Sequence, residues 1–432
     1  MTQEAAVRAA VAADTDWMQA FLAQLVRTPS VNPKFEADPA LNREAEVQNI
    51  LEEELRALGF ATSRQEPLPG RPNLIGLWPG GQANSLALCG HVDVVPVGDA
   101  SVWVHAPFGA EVADGRMYGR GTVDMKAGLV ACLAACRAFR ALEIPLSGRL
   151  EFHAVVDEEA GGFGAMAAAA REPRPSAVLV AEGSGNAVRP WVGGLDWVRV
   201  TVRGRNGHSS RRFASIYPSE AAAGIPVRSV NALELGARVL AAVQALEVQW
   251  GREKRFPYLP AGMNTISPGM MIAGVGMGAD GLPNVLNNPG IVPDTCVLDF
   301  DLKFLPHEDP VTIRREFEEA LLRFAATDPW LAEHPPHVQW DLYGLHFPPV
   351  NTPVDHPLVE ALVESRKAVG LPVQLEGMLG VTDAAHYAAR GIPGVVYGPL
   401  GANAHGPDEY VIVESVVEAA QDIAATILRY CG

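Results

Sequence analysis

His91 and Asp93 stand two residues apart in the stretch LALCGHVDVVP, just after the apolar run 86–89. Alternate residues of an extended strand face the same way, so this imidazole and carboxylate emerge together where the strand ends. Such a pair serves a metal site or an acid–base site, but a histidine holding only a local hydrogen bond looks the same in sequence. Partners decide the matter. The alternation and β-branched residues of 149–156 read as a strand that runs into Asp157, Glu158 and Glu159. The run 177–181 reads as another strand and ends at Glu182. An acidic surface loop would explain 157–159 taken alone. Its placement after a buried strand, like that of His91 and Glu182, points to a shared site, because ligands of open α/β sheets sit beyond the carboxyl ends of the strands.

The elements that would position these groups alternate. Helical spacing over Trp17, Phe21, Leu22 and Leu25 predicts a helix behind Asp16 that stops before Pro29, and 42–58 reads as a second helix closed by Gly59. Strand-like pieces follow at 60–63, 73–78 and 85–89, and then an irregular, Gly- and Pro-rich stretch over 90–121. Asp124 is expected to open a helix through Leu129, Leu133 and Phe139. This order predicts an α/β catalytic domain with a mixed, largely parallel sheet. After Pro190 the pattern becomes strand 197–202, helix 232–248, strands 264–272 and 295–304, helix 310–324 and strand 337–342. That β-α-β-β-α-β order is the ferredoxin-like α+β pattern. An inserted domain is therefore placed at 195–343, and the catalytic domain at 1–194 with 344–432.

At 432 residues, 48% hydrophobic and 19% charged, the chain is expected to be a soluble protein of two domains. A net charge of −16 argues against nucleic acid or an anionic membrane as partner. No apolar run of about 20 residues offers a membrane span, and the N-terminus lacks the basic and apolar regions of a signal peptide. Five scattered cysteines without zinc-ribbon spacing fit a reducing compartment, so a cytoplasmic location is expected.

Six segments carry chemistry-bearing residues in order: GHVDVVP (90–96), YGRGTVDMKAG (118–128), VVDEEAGG (155–162), VAEGSG (180–185), GRNGHSS (204–210) and GPLGANAHGPDEYV (398–411). Together they resemble the acetylornithine deacetylase, succinyl-diaminopimelate desuccinylase and glutamate carboxypeptidase family of dinuclear zinc hydrolases, over nearly the whole chain. The resemblance implies a zinc-peptidase-like catalytic domain and an inserted lid through which two copies pair as a homodimer. It implies two divalent ions, zinc foremost with cobalt or manganese as substitutes, bridged by Asp124. His91 and Glu182 would complete one site, and Glu159 and His405 the other. Asp93 would orient the His91 ring, and the Asp124–Met125 bond would be cis. Glu158 would be the general base that takes a proton from the attacking water and passes it to the leaving amine. His208 of the partner subunit would stabilise the oxyanion. Asn284 matches a substrate-contacting asparagine.

Departures from the family pattern bear on the substrate. Asp301-Leu302-Lys303 stands where the family often has Asp-x-Arg, and lysine lacks the bidentate grip on a carboxylate. Glu182-Gly183-Ser184 keeps the ligand but not the usual proline after it. The stretch 211–230 is long, and its Arg211 and Tyr217 are candidate substrate contacts beside Lys303 and Asn284. The expected activity is hydrolysis of the amide of a small N-acyl or N-formyl amine, or of an N-acyl amino acid. The alternatives are a dipeptidase or carboxypeptidase and, more remotely, a non-catalytic metal-binding homologue.

Overall fold

The segments around His91, Val155 and Val180 are apolar on both faces, and a strand covered on both sides belongs in a parallel sheet. In the computed structural model, which describes residues 2–78, 80–81, 83–212 and 228–432, they are neighbours. Gly148–Val155, Ala83–His91, Ala177–Val180 and Gly394–Val396 lie side by side in that order, all parallel. Residues 86–89, 150, 152, 154, 155 and 177–180 are buried, and a fully buried Val or Leu side chain contributes about 1.5–3 kcal/mol. Antiparallel strands extend the sheet on both sides, Arg71–Trp78 and Ala61–Leu68 on one, Val188–Val192 and Val350–Asn351 on the other. The register sets His91 opposite Val155, and Cys89 opposite Val180. Glu158, Glu159 and Glu182 thus follow strands that end level with His91.

The chain divides into two units, Met1–Val192 with Val350–Gly432, and Gly193–Pro349. The inserted unit ends six residues later than the sequence places it, because His346–Phe347 pairs with the Gly194–Arg203 strand. Its strands and helices run Gly194–Arg203, Ala232–Glu253, Ile266–Met277, Thr295–Phe304, Pro310–Ala325 and His337–Gln339. The sheet order places Thr295–Phe304 and His337–Gln339 on either side of Gly194–Arg203, with Ile266–Met277 outside, every pair antiparallel. One sheet face packs Val198, Val200, Leu298 and Phe300 against Val239, Val243 and Phe317 of the two long helices. Among the described residues, no helix is long and apolar enough to cross a membrane.

The structure also departs from the sequence reading within the first unit. A helix, Gln3–Ala13, precedes the expected one, which runs Thr15–Val26. The stretch 90–121 contains strands Glu111–Ala113 and Arg116–Tyr118, which join Gly401–Ala402 and Tyr410–Ile412 in a small four-stranded sheet. The helix expected to open at Asp124 begins at Ala127, since Asp124 (φ −123°, ψ 89°) and Met125 are not helical. That backbone turns the Asp124 carboxylate out of the helix and toward the strand ends.

Two glycines allow this close packing. A Cβ at Gly90 would stand 2.7 Å from Met125 Cε, and one at Gly128 only 1.8 Å from the Ala181 carbonyl oxygen. Helix Ala127–Ala141 therefore meets the strand leading to Glu182 with no room for a methyl. Gly128→Ala should cost about 1–3 kcal/mol as overpacking; a thermal or denaturant melt that matches wild type would contradict this.

Candidate metal centre

Loops beyond the parallel strands, with the Asp124 turn and loop 398–411, bring seven of the expected residues together in the first unit. Asp124 lies between two histidines. Its Oδ1 is 3.1 Å from His91 Nε2, and its Oδ2 is 3.0 Å from His405 Nε2. His91 Nε2 is also 3.2 Å from Glu182 Oε1, and His405 Nε2 is 3.1 Å from Glu159 Oε2. The result is two groups, each with one imidazole nitrogen, one glutamate oxygen and one oxygen of Asp124. Glu158 Oε2 stands 4.0 Å from His91 Nε2, beyond hydrogen-bond range but close enough to share a metal position with His91 and Glu182. The Asp124–Met125 peptide bond is cis.

The electrostatics follow from this crowding. Burial and the Asp124 charge push the Glu159 carboxyl up to about 7. Burial drives Glu158 well up, reinforced by Asp383, Glu159 and Glu182. Glu182 is raised by burial and by Asp124. Burial alone would raise Asp124 as well, but its hydrogen bonds with His405 and His91 outweigh it and hold that carboxyl below the carboxylate range. His405 is pushed up to about 10 by Asp124 and Glu159. Burial would lower His91, yet Glu182 and Asp124 hold its proton affinity well above normal. Carboxylates this close ask for positive charge. The donor set of imidazole nitrogens and carboxylate oxygens, shared across one bridging aspartate, fits a pair of divalent ions.

Asp93 differs from its expected role. The His91 Nδ1 partner is the Asp93 main-chain carbonyl at 2.9 Å, while the nearer carboxylate oxygen is 3.7 Å away. The Asp93 carboxylate instead accepts the backbone N–H groups of Glu158 (3.2 Å) and Glu159 (3.3 Å), and a bond from Asn32 Nδ2 at 2.8 Å. Its side chain thus anchors the loop that carries the candidate base, while its backbone orients the histidine. The same loop is held by Asp157, which pairs with Lys34 (2.6 Å) and Arg71 (2.7 Å) and accepts a bond from Asn32 (3.1 Å). Arg71 in turn grips Glu44 with two bonds of 2.7 Å. Removing one member of such a buried pair costs about 3–5 kcal/mol.

Sequence reasoning missed Asn32, Lys34, Arg71 and the buried Glu409, which accepts the Val123 and Asp124 amides. Lys34, Asn32 and Arg71 have no motif around them. Glu409 had one faint signal, its place four residues after His405 in the last motif.

The other expected residues lie in the inserted unit. His208 is exposed, pairs in a short ladder with Ile291, and accepts the Ser210 N–H at Nδ1, 3.1 Å. Asn284 is exposed and donates to the Val275 carbonyl at 3.2 Å. Lys303 Nζ is 2.6 Å from Asp301 Oδ1. Arg211 closes an exposed turn, Ser209–Arg211, and Tyr217 lies outside the described residues. A further acidic cluster in this unit, Asp196, Asp341 and His346, resembles a ligand group, but Arg314 already supplies its positive charge at 2.7 Å from Asp196.

Comparison with known proteins shows the family and the fold. The profile of peptidase family M20/M25/M40 matches residues 87–429. The N-formyl-4-amino-5-aminomethyl-2-methylpyrimidine deformylase of Halalkalibacterium halodurans is 30% identical over 431 residues, 95% of this chain and 94% of that protein. The fold is that of the aminopeptidase PepT from Bacillus cereus, with TM-score 0.70, 20% identity and coverage of 96% and 98% of the two chains. It is also that of the YXEP protein of Bacillus subtilis, a dinuclear metal-binding peptidase of the M20 family, with TM-score 0.66, 15% identity and coverage of 97% and 99%.

Imidazole must be neutral to bind a metal, and without one His405, pushed up to about 10, holds a proton through neutral pH. Metal binding should therefore release protons, and affinity should weaken on acidification. Between pH 8 and 6 the apparent zinc dissociation constant, read by chelator competition, should rise about tenfold per unit for each displaced proton. A flat profile would refute the protonated state of His405.

Proposed function

The chain belongs to peptidase family M20/M25/M40, and on that premise we propose that it is a two-metal amidohydrolase that removes a formyl or small acyl group from an amine. The observation that carries this reading is Asp124 shared between a His91–Glu182 group and a His405–Glu159 group, with Glu158 beside them at 4.0 Å from His91. A relative of nearly equal length that deformylates an aminomethylpyrimidine supports the choice of acyl group. So does Lys303, held by Asp301, in place of an arginine that could grip a peptide carboxylate bidentately. Zinc is the favoured metal, and cobalt and manganese suit the same donors.

Bound divalent ions would supply Lewis acidity and a water of lowered pKa. The chain's own residues do the rest. Glu158, not hydrogen-bonded to His91 and of raised proton affinity, accepts the proton of the attacking water and delivers it to the amide nitrogen as the C–N bond breaks. Formate, or another carboxylate, and the free amine are the products. Asp93 fixes the Glu158 and Glu159 amides, so the base keeps its position through the transfer.

A homodimer joined through the inserted unit belongs to the same proposal, with His208 of the partner subunit as oxyanion donor. Among the described residues, strand Ile266–Met277 has no partner on its outer edge before Val275, and an open edge of that kind calls for cover. A cytoplasmic setting is part of the reading, supported by five free, buried cysteines.

With the metals still bound, Glu158→Gln should lower kcat by about 10²–10⁴-fold; hydrolysis near the wild-type rate would remove Glu158 as the base. In a panel of N-formyl-4-amino-5-aminomethyl-2-methylpyrimidine, N-acetyl amines, N-acyl amino acids and dipeptides, the highest kcat/KM should fall on an N-formyl or N-acyl compound. Faster cleavage of dipeptides would make the chain a peptidase. Sedimentation should give a dimeric mass at micromolar concentration, and a monomer would end the role given to His208.

A further inference from the structure

Glu409 and Arg120 are buried to 0% and 1% exposure, close to the metal centre, yet neither touches an expected ligand's side chain. Glu409 Oε1 accepts the backbone N–H of Val123 at 3.0 Å and of Asp124 at 3.3 Å, with the Thr122 hydroxyl at 3.5 Å. Glu409 Oε2 accepts from Arg120 Nη1 at 2.5 Å, and the Glu409 carbonyl accepts the Gly119 N–H at 2.8 Å. One side chain therefore holds the turn that presents Asp124, from the same loop that presents His405.

That loop needs holding. Asn403, His405 and Asp408 all have positive φ (62°, 62° and 50°), a region L-residues enter at a cost and keep only when the surroundings fix them. The His405 side chain is 57% exposed, against 0% for His91, so packing does little to fix the ring. The restraints come from residues 408–410. Asp408 Oδ1 accepts the Val104 and His105 amides at 2.9 and 3.0 Å, Glu409 takes the Asp124 turn, and Tyr410 pairs with Tyr118. Of these, only Glu409 reaches the backbone of the bridging aspartate itself.

We propose that Glu409, braced by Arg120, is the positioning residue that sets the Asp124–His405 separation and so gives the second metal position its affinity. The inference rests on the two-metal reading of the site and adds a residue to it. A carboxylate can accept from the two amides and from the guanidinium at once. A carboxamide cannot: if its oxygen keeps the amides, its NH₂ faces the Arg120 donors.

The test is zinc binding to the full-length chain, measured by competition with a chromophoric chelator. Wild type should bind two equivalents; fewer would refute the two-metal reading itself, independently of Glu409. Glu409→Gln should keep the wild-type circular dichroism, melt at a lower temperature without metal because it strands the buried Arg120 guanidinium, and hold the first equivalent within about threefold. The second should bind about 10–100-fold more weakly, the usual effect of losing a residue that orients a ligand. At saturating zinc, kcat should fall with KM little changed. Two equivalents bound with wild-type affinity would overturn the proposal. If Glu409→Gln does not fold, the R120M/E409Q pair removes the stranded guanidinium. Weak second-zinc binding by that folded double variant supports the role, and wild-type binding overturns it. Failure of both to fold would make the pair a folding element and overturn it equally.

Discussion

Asp124 gives one carboxylate oxygen to His91 and the other to His405, and loops from four parts of the chain converge on that residue. Two of them bring charge of the same sign as Asp124: Glu158 and Glu159 from one loop, Glu182 from another. Coulomb repulsion in a buried site is severe enough that such an arrangement persists only if backbone and packing overrule it. The parallel sheet does much of this. Its strands end level with one another, so the carboxylates need no long excursions to meet, and helix Ala127–Ala141 closes against the Glu182 strand through Gly128.

Two buried carboxylates finish the work from behind, and both act on the backbone of the turns that carry the site residues rather than on the side chains of those residues. Asp93 accepts the amides of Glu158 and Glu159; Glu409 accepts those of Val123 and Asp124. A bond to an amide fixes where a residue's Cα stands and leaves the ligand oxygens free. The cations of the first unit's network, Lys34, Arg71 and Arg120, are spent on Asp157, Glu44 and Glu409. None of them neutralises Asp124, Glu159 or Glu182, which is the electrostatic condition a divalent metal pair requires.

The inserted unit shows the opposite arrangement. On its sheet, Arg199 pairs with Asp299, Lys303 with Asp301, and Arg314 with Asp196. Asp196, Asp341 and His346 match the first unit's cluster in residue type, yet the guanidinium among them satisfies the charge. Residue types alone would have placed a metal in both units. What separates the two clusters is whether a cation of the chain is already there.

The residue types of the candidate site are legible in the sequence. His91, Glu158, Glu159 and Glu182 are legible because each follows a strand whose apolar pattern is strong, and strand ends of a parallel sheet are where ligands collect. The family resemblance added Asp124 and His405, and the inserted β-α-β-β-α-β unit could be read from its periodicities. How those residues are held emerges with the folded chain. The bonds from Asn32 to Asp157 and from Arg120 to Glu409 join residues 125 and 289 positions apart, within turns where no periodicity marks a partner. The same is true of the split role of Asp93, whose carbonyl takes the histidine and whose carboxylate takes the loop. Composition and spacing name the groups that can bind a metal. Which of them do so, and which hold the others in place, depends on long-range hydrogen bonds that exist only once the chain has closed on itself.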